Sequence, residues 1–257
     1  MPDQKEDIMN TSASNTDLHF TGARDPKDGA RAAKGPRHPS PPLPLLAVVH
    51  IALFAAGLVC SALLAGGAVF PSPFQPEIAR AYFEQHGDAV RVAGFLLFGS
   101  AIPLGLFAAT ATSRLRFLGV DVAGVSIALF GGIGAAVMLL LSGVCMWSLG
   151  QLGPSDVPVA ARALHLLAFG AGGPGFAVTF GLLVLGVSLA GGLTRRLPRW
   201  LMWLGIAIGI VAELSSLSLL FNWAAFLLPI ARFPGLVWLA CVALLLPRTR
   251  ALTSNNI

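Results

Sequence analysis

The sequence predicts an all-α, polytopic membrane protein: a bundle of six transmembrane helices. Three observations carry this. Charged residues make up only 11% of the 257 residues, against roughly 25% in a soluble domain. Apolar residues reach 55% and the mean hydropathy is +0.76, which excludes an ordinary water-soluble enzyme. The apolar residues also fall in continuous runs of the length a spanning helix needs, about 18 or more. They lack the period-2 alternation of a β-barrel strand.

Residues 1–44 hold six acids and six bases and are rich in Pro, Ser, Asp and Gly. Such a segment cannot bury enough apolar surface to fold, so it reads as a disordered cytoplasmic tail. The membrane domain follows at 45–247, and a short tail at 248–257. Residues 45–70, 92–113, 163–194 and 233–247 carry no Asp, Glu, Lys or Arg, while 119–155 hold only Asp121 and 200–231 only Glu213. The six helices are placed near 45–69, 92–112, 119–147, 160–192, 200–221 and 230–247. The first has too long a polar leader and too long an apolar run for a cleavable signal peptide, so it reads as an anchor. Between the first two, Pro76 suits a helix start and Gly87 a helix end. A short interfacial helix is expected there, with Ile78, Ala81, Tyr82 and Gln85 on one side.

Orientation follows the Lys and Arg residues. With the N-terminus inside, 13 bases fall on the inner side and four, Arg80, Arg91, Arg162 and Arg232, on the outer. Both termini are therefore expected in the cytoplasm. The net charge of +5 is a topology signal and not a nucleic-acid footprint, since no basic face carries interleaved stacking aromatics. Trp200, Trp203, Trp147, Trp223 and Tyr82 fit interfacial belts.

A repeat is suggested by Arg91–Pro103 against Arg162–Pro174, where Arg, Phe, Gly and Pro coincide. Arg232 follows at similar spacing. The pattern suggests three in-out-in hairpins in parallel, with the three arginines at one depth. A cation near a helix N-terminus opposes the macrodipole, so each needs a partner: Asp88 for Arg91, Asp156 for Arg162 and Glu213 for Arg232.

Few residues can carry chemistry. Glu213 is the one acid deep in an apolar run, and an intramembrane acid marks a functional site by default. Ser216 lies one turn on. One reading is a polar pocket open to the outside, lined by Glu213, Ser216, His165, Arg162 and Arg232, with Asp156, Arg91 and Asp88 nearby on the outer face. The other is a structural Glu213–Arg232 ion pair. His50 and His165 fall in opposite leaflets, which disfavours one haem between them, and each reads as a hydrogen-bonded residue. No His, Cys, Asp or Glu cluster has metal spacing, and no cofactor is expected. Gly170–Gly175 is too far from any strand for a dinucleotide loop; it should kink or break a long helix. Gly205 and Gly209, and Gly57, Ser61 and Ala65, fit close helix packing. Cys60, Cys145 and Cys241 read as buried thiols without a disulfide framework.

The segments Ala81-Tyr-Phe-Glu-Gln-His-Gly, Phe98-Gly-Ser-Ala-Ile-Pro-Leu-Gly and Ser113-Arg-Leu-Arg-Phe-Leu-Gly resemble an uncharacterised family of bacterial six-helix membrane proteins. So do Gly173-Pro-Gly-Phe, Leu197-Pro-Arg-Trp-Leu, Ala212-Glu-Leu-Ser and Leu228-Pro-Ile-Ala-Arg-Phe-Pro-Gly. The resemblance spans about 45–250 and implies a bacterial inner-membrane protein, with no activity to carry over. The expected function is a non-enzymatic accessory or partner-binding membrane protein, with lipids as partners and a protein partner or homo-oligomer open. A transporter using Glu213 and a lipid-acting enzyme are the alternatives.

Overall fold

The computed structural model describes residues 37–152 and 158–249. Eight α-helices account for the architecture: α1 Leu43–Leu64, α2 Pro76–Gln85, α3 Gly87–Phe117, α4 Ala123–Leu149, α5 Pro158–Gly170, α6 Phe176–Leu193, α7 Arg199–Leu214 and α8 Leu227–Leu245. A single π-helical turn, Ala171–Gly175, joins α5 to α6 without interrupting the rod. Two 3-10 turns, Ser215–Leu219 and Asn222–Phe226, join α7 to α8. Among the described residues six helices are long and apolar enough to cross a membrane: Leu43–Leu64, Gly87–Phe117, Ala123–Leu149, Val159–Leu193, Arg199–Leu219 and Asn222–Leu245.

The spans match the expected ones, with differences at their ends. α1 stops at Leu64 because Gly66 and Gly67 turn the backbone to φ 61° and 86°, which glycine adopts at little cost. Gly87 does not end the short helix; His86 caps it and Gly87 opens α3. That helix buries Ala79, Tyr82 and Phe83, while Ile78 is exposed. Its packing against α3 and α5 rotates the buried face away from the one the sequence suggested. Tyr82 is therefore not a belt residue: it packs edge-on against Phe70 and Phe83. Trp147, Trp200, Trp203 and Trp223 do face outward.

The spans form a ring in chain order, α1–α3–α4–α6–α7–α8, and the seam where α8 returns to α1 is its thinnest. The α5–α6 rod is central, with 67% of its most apolar window buried, and α1 is outermost at 28%. Lipid is as apolar as the helix surfaces, so cohesion comes from close packing and interhelical hydrogen bonds rather than from hydrophobic burial. Small residues permit that approach. A Cβ at Gly94 on α3 would lie 2.6 Å from the Trp147 amide and 2.8 Å from the Gly143 carbonyl on α4. The α7 glycines work as expected, Gly205 against Ser188 and Gly209 against Leu185 on α6. Trp238 is fully buried on α8, and its indole donates to the Leu201 carbonyl on α7 at 3.2 Å.

One face of the bundle carries both described chain ends. Residue 37 pairs with Thr249 and the His38 amide donates to the Arg248 carbonyl at 3.1 Å. This is the terminal face; the loop after α1, α2 and the start of α5 form the opposite, distal face. The three repeat arginines do not share a depth. Arg91 and Arg162 are exposed at the distal rim, whereas Arg232 is half-buried beyond the first turn of α8. Pro103 sits in ordinary α-helix while its counterpart Pro174 sits in the π turn. The third hairpin thus does not repeat the other two.

Two glycines on one helix test the packing. Gly94→Ala drives a methyl into α4 backbone and should cost about 1–3 kcal/mol. Gly99→Ala meets only the end of Leu53 at 3.8 Å and should be neutral or stabilise by up to about 1 kcal/mol, the helix-propensity gain. Unfolding of the detergent-solubilised protein measures both; equal effects would contradict this packing.

Candidate functional site

The π turn follows from local sequence. Pro174 has no N–H to offer the helix. The Phe176 amide reaches back five residues to the Ala171 carbonyl instead of four to Gly172. The Gly172 carbonyl is thereby spared its usual donor inside a membrane span, where an unsatisfied polar group costs several kcal/mol. The Arg232 guanidinium meets it from α8, donating through Nη2. Gly172 also lets α4 come close: a Cβ there would lie 2.3 Å from Ser142 Oγ. That hydroxyl donates to the Ala168 carbonyl at 2.9 Å, so the bent stretch is satisfied by α4 on one side and α8 on the other.

The guanidinium is flanked by aromatic rings. Its Cζ lies 4.5 Å from the Phe176 ring centre and 5.3 Å from that of Phe54. Desolvated contacts of this kind are worth about 2 kcal/mol each, and a charge-assisted hydrogen bond about 1.5–3. Together they offset the roughly 2.5–3.5 kcal/mol that insertion scales assign to an arginine at mid-membrane. They do not neutralise its charge. A guanidinium has five N–H donors, and Arg232 lines a cavity of about 490 Å³.

That cavity lies between α1 and α8, in the half nearer the distal face. Phe54, Gly57 and Leu58 of α1 and Leu228 and Phe233 of α8 form its sides, and Arg232, Ser142 and Gly172 its deep end. Phe70 to Pro73 of the loop after α1 cover the mouth. There His165 is buried, edge-on to Phe70 at 5.7 Å and Phe83 at 4.9 Å. The backbone of Pro71 comes within hydrogen-bonding reach of its ring, while its Nε2 is unpartnered. The walls hold one cation and no carboxylate. His165 also borders a smaller distal cleft with Arg162, Glu77 and Arg80.

The structure regroups the residues expected to form a pocket. Arg232 and His165 share the cavity, and Arg162 lies in the adjoining cleft. Glu213 and Ser216 line neither. Glu213 turns toward α6, where its Oε1 lies beside Gly181 and is buried without a partner. Ser216 is exposed and donates to the Glu213 carbonyl at 2.7 Å. Among the described residues the ion pairs are Arg80–Glu84 and Asp88–Arg91. The Arg91 pairing stands as expected, aided by Gln151 at 3.1 Å. The Glu213–Arg232 pair does not form, because the two side chains turn to different neighbours. Asp156 lies outside the described residues. His50 is buried, with Nδ1 bonded to the Ser100 carbonyl at 2.8 Å. Phe54, Ser142, Gly172 and Phe176 were not singled out by sequence; only the break at Gly170–Gly175 pointed toward them. Among the described residues no group of His, Cys, Asp and Glu could hold a metal ion.

No family model, curated protein or solved structure matches the chain.

With no ion pair, Glu213→Gln and Arg232→Gln should act independently. A double-mutant cycle on unfolding should close within about 0.5 kcal/mol, as for separated sites. A coupling above about 1 kcal/mol would show that the two charges do interact.

Proposed function

We propose that this chain is a non-enzymatic multi-pass membrane protein that binds an amphiphile with one anionic headgroup. It would lie in the bacterial inner membrane with the terminal face in the cytoplasm; the 13-to-4 distribution of bases and the family resemblance support that placement. The observation that carries the binding reading is an apolar cavity whose one charged wall residue is Arg232, with no acid opposite it. Its volume falls within the roughly 300–1,000 Å³ of small-molecule sites, which combine apolar walls with a few placed polar groups. A guanidinium pairs with a carboxylate bidentately, and the apolar remainder suits an alkyl chain. The seam between α1 and α8 gives that chain a lateral way to lipid.

Two features weigh against the alternatives. The Ser142 hydroxyl is committed to a backbone carbonyl, so it is not poised as a nucleophile. Glu213, one of the three features behind the transport reading, lies off the cavity.

The test is titration of the full-length protein, in a detergent of neutral headgroup, with hexadecanoate and with hexadecanol. Hexadecanoate should bind at least about tenfold tighter, the 1.4 kcal/mol that even a modest charge-assisted contact supplies. Arg232→Gln should erase that preference and Arg232→Lys keep part of it. Equal affinity for acid and alcohol, or a preference surviving in Arg232→Gln, would overturn the proposal.

A further inference from the structure

The terminal face holds a second concentration of positive charge, independent of the cavity. Arg114, in the last turn of α3, is 3% exposed and His38 is 9% exposed. Arg114 donates Nη1 to the Leu246 carbonyl at 3.3 Å and Nη2 to Ser40 Oγ at 3.4 Å. Arg248 donates Nη2 to the Ser40 carbonyl at 3.1 Å. His38 Nε2 lies 3.2 Å from Ser113 Oγ, and its ring meets Phe117 edge-on at 5.0 Å. Ser40 is thus gripped by two guanidiniums.

Three polar atoms here are buried with no partner: Arg114 Nε, Arg248 Nε and His38 Nδ1. An orphaned donor on a buried charge is costly and calls for an explanation such as an unseen ion. No ion pair among the described residues reaches either arginine. The local negative potential comes from the C-termini of α3 and α8, each worth roughly half a unit charge. Among the described residues no acid offsets the two permanent cations, and these helix ends compensate them only in part. His38, outside the spans, is held neutral by its burial and by the two guanidiniums, its pKa lying below the usual histidine value. A neutral ring adds a hydrogen-bonding edge without adding repulsion.

We infer that Arg114, Arg248, His38 and Ser40 form a binding site for one phosphate group at the terminal face. A phosphate group is an anion, and its oxygens accept from guanidinium donors. A phospholipid headgroup and free inorganic phosphate both present this chemistry.

The experiment follows thermal unfolding of the full-length protein in dodecyl maltoside. Separate titrations add dioctanoyl phosphatidylglycerol, dioctanoylglycerol and inorganic phosphate. The phospholipid should raise the midpoint saturably by roughly 5 °C, and dioctanoylglycerol, which lacks the phosphate, should not. A similar rise with inorganic phosphate identifies free phosphate as a sufficient ligand; a rise with the phospholipid only identifies the headgroup. Arg114→Gln and Arg248→Gln should each cut the rise at least about threefold. Arg199→Gln, an exposed cation on the same face, should leave it intact. Arg248 is only half-buried, so its variant decides the matter if Arg114→Gln does not fold. No rise with either phosphate compound, an equal rise with dioctanoylglycerol, or an undiminished rise in Arg248→Gln would overturn the site.

Discussion

The bond from Arg232 to the Gly172 carbonyl is the interaction on which the distal half depends. A membrane span cannot leave a backbone carbonyl unmet, and Pro174 guarantees that this helix has an irregular turn. The protein meets the freed carbonyl with a cation from another span. That choice fixes the rotation of α8, because Arg232 must face α5–α6 and α1 at once. It brings the guanidinium against the Phe54 and Phe176 rings and puts Arg232 on the wall of the cavity between α1 and α8.

The ring architecture explains why the space lies there. Packing along α3, α4 and α6 is set by glycines whose neighbours include backbone atoms, as at Gly94, Gly131 and Gly186. Such contacts tolerate no intrusion. The seam between α8 and α1 is thin by comparison, and the polar head of Arg232 prevents it from closing with apolar side chains alone. The cavity opens there against the α5–α6 rod, whose π turn supplies Gly172 and Gly173 to its wall.

Sequence showed the spans and hid the site, for one physical reason. Spans are one-dimensional: a continuous apolar run specifies its helix without reference to anything else, and only punctuation such as Gly66–Gly67 shifted an end. Arg232 was visible because a charge in an apolar run is conspicuous. Its partners were not. Charge matching nominated Glu213, but the structure satisfies the cation with a carbonyl and two rings, none of which carries a charge for sequence to match. Phe54 and Ser142 look like any span residue until folding brings them to one place. The Gly170–Gly175 stretch announced an irregularity, yet not that its freed carbonyl would be the acceptor. The repeat misled for a related reason, since equal spacing in sequence did not become equal depth once α8 was preceded by a 3-10 turn.

The two concentrations of buried charge solve the same problem with different surplus. At each, cations are held by carbonyls, a serine or aromatic faces rather than by acids. Acids would neutralise them outright and leave nothing to attract a ligand. Carbonyl dipoles and ring quadrupoles hold a cation in place while leaving its net charge intact, so positioning and neutralisation are separated. At the distal cavity that separation leaves a whole positive charge beside apolar walls. At the terminal face it leaves two guanidiniums that are only partly offset by two helix ends. In a chain this poor in charge, the described residues thus hold cations without acidic partners at two separate places, and each leaves positive charge that an anion would complement.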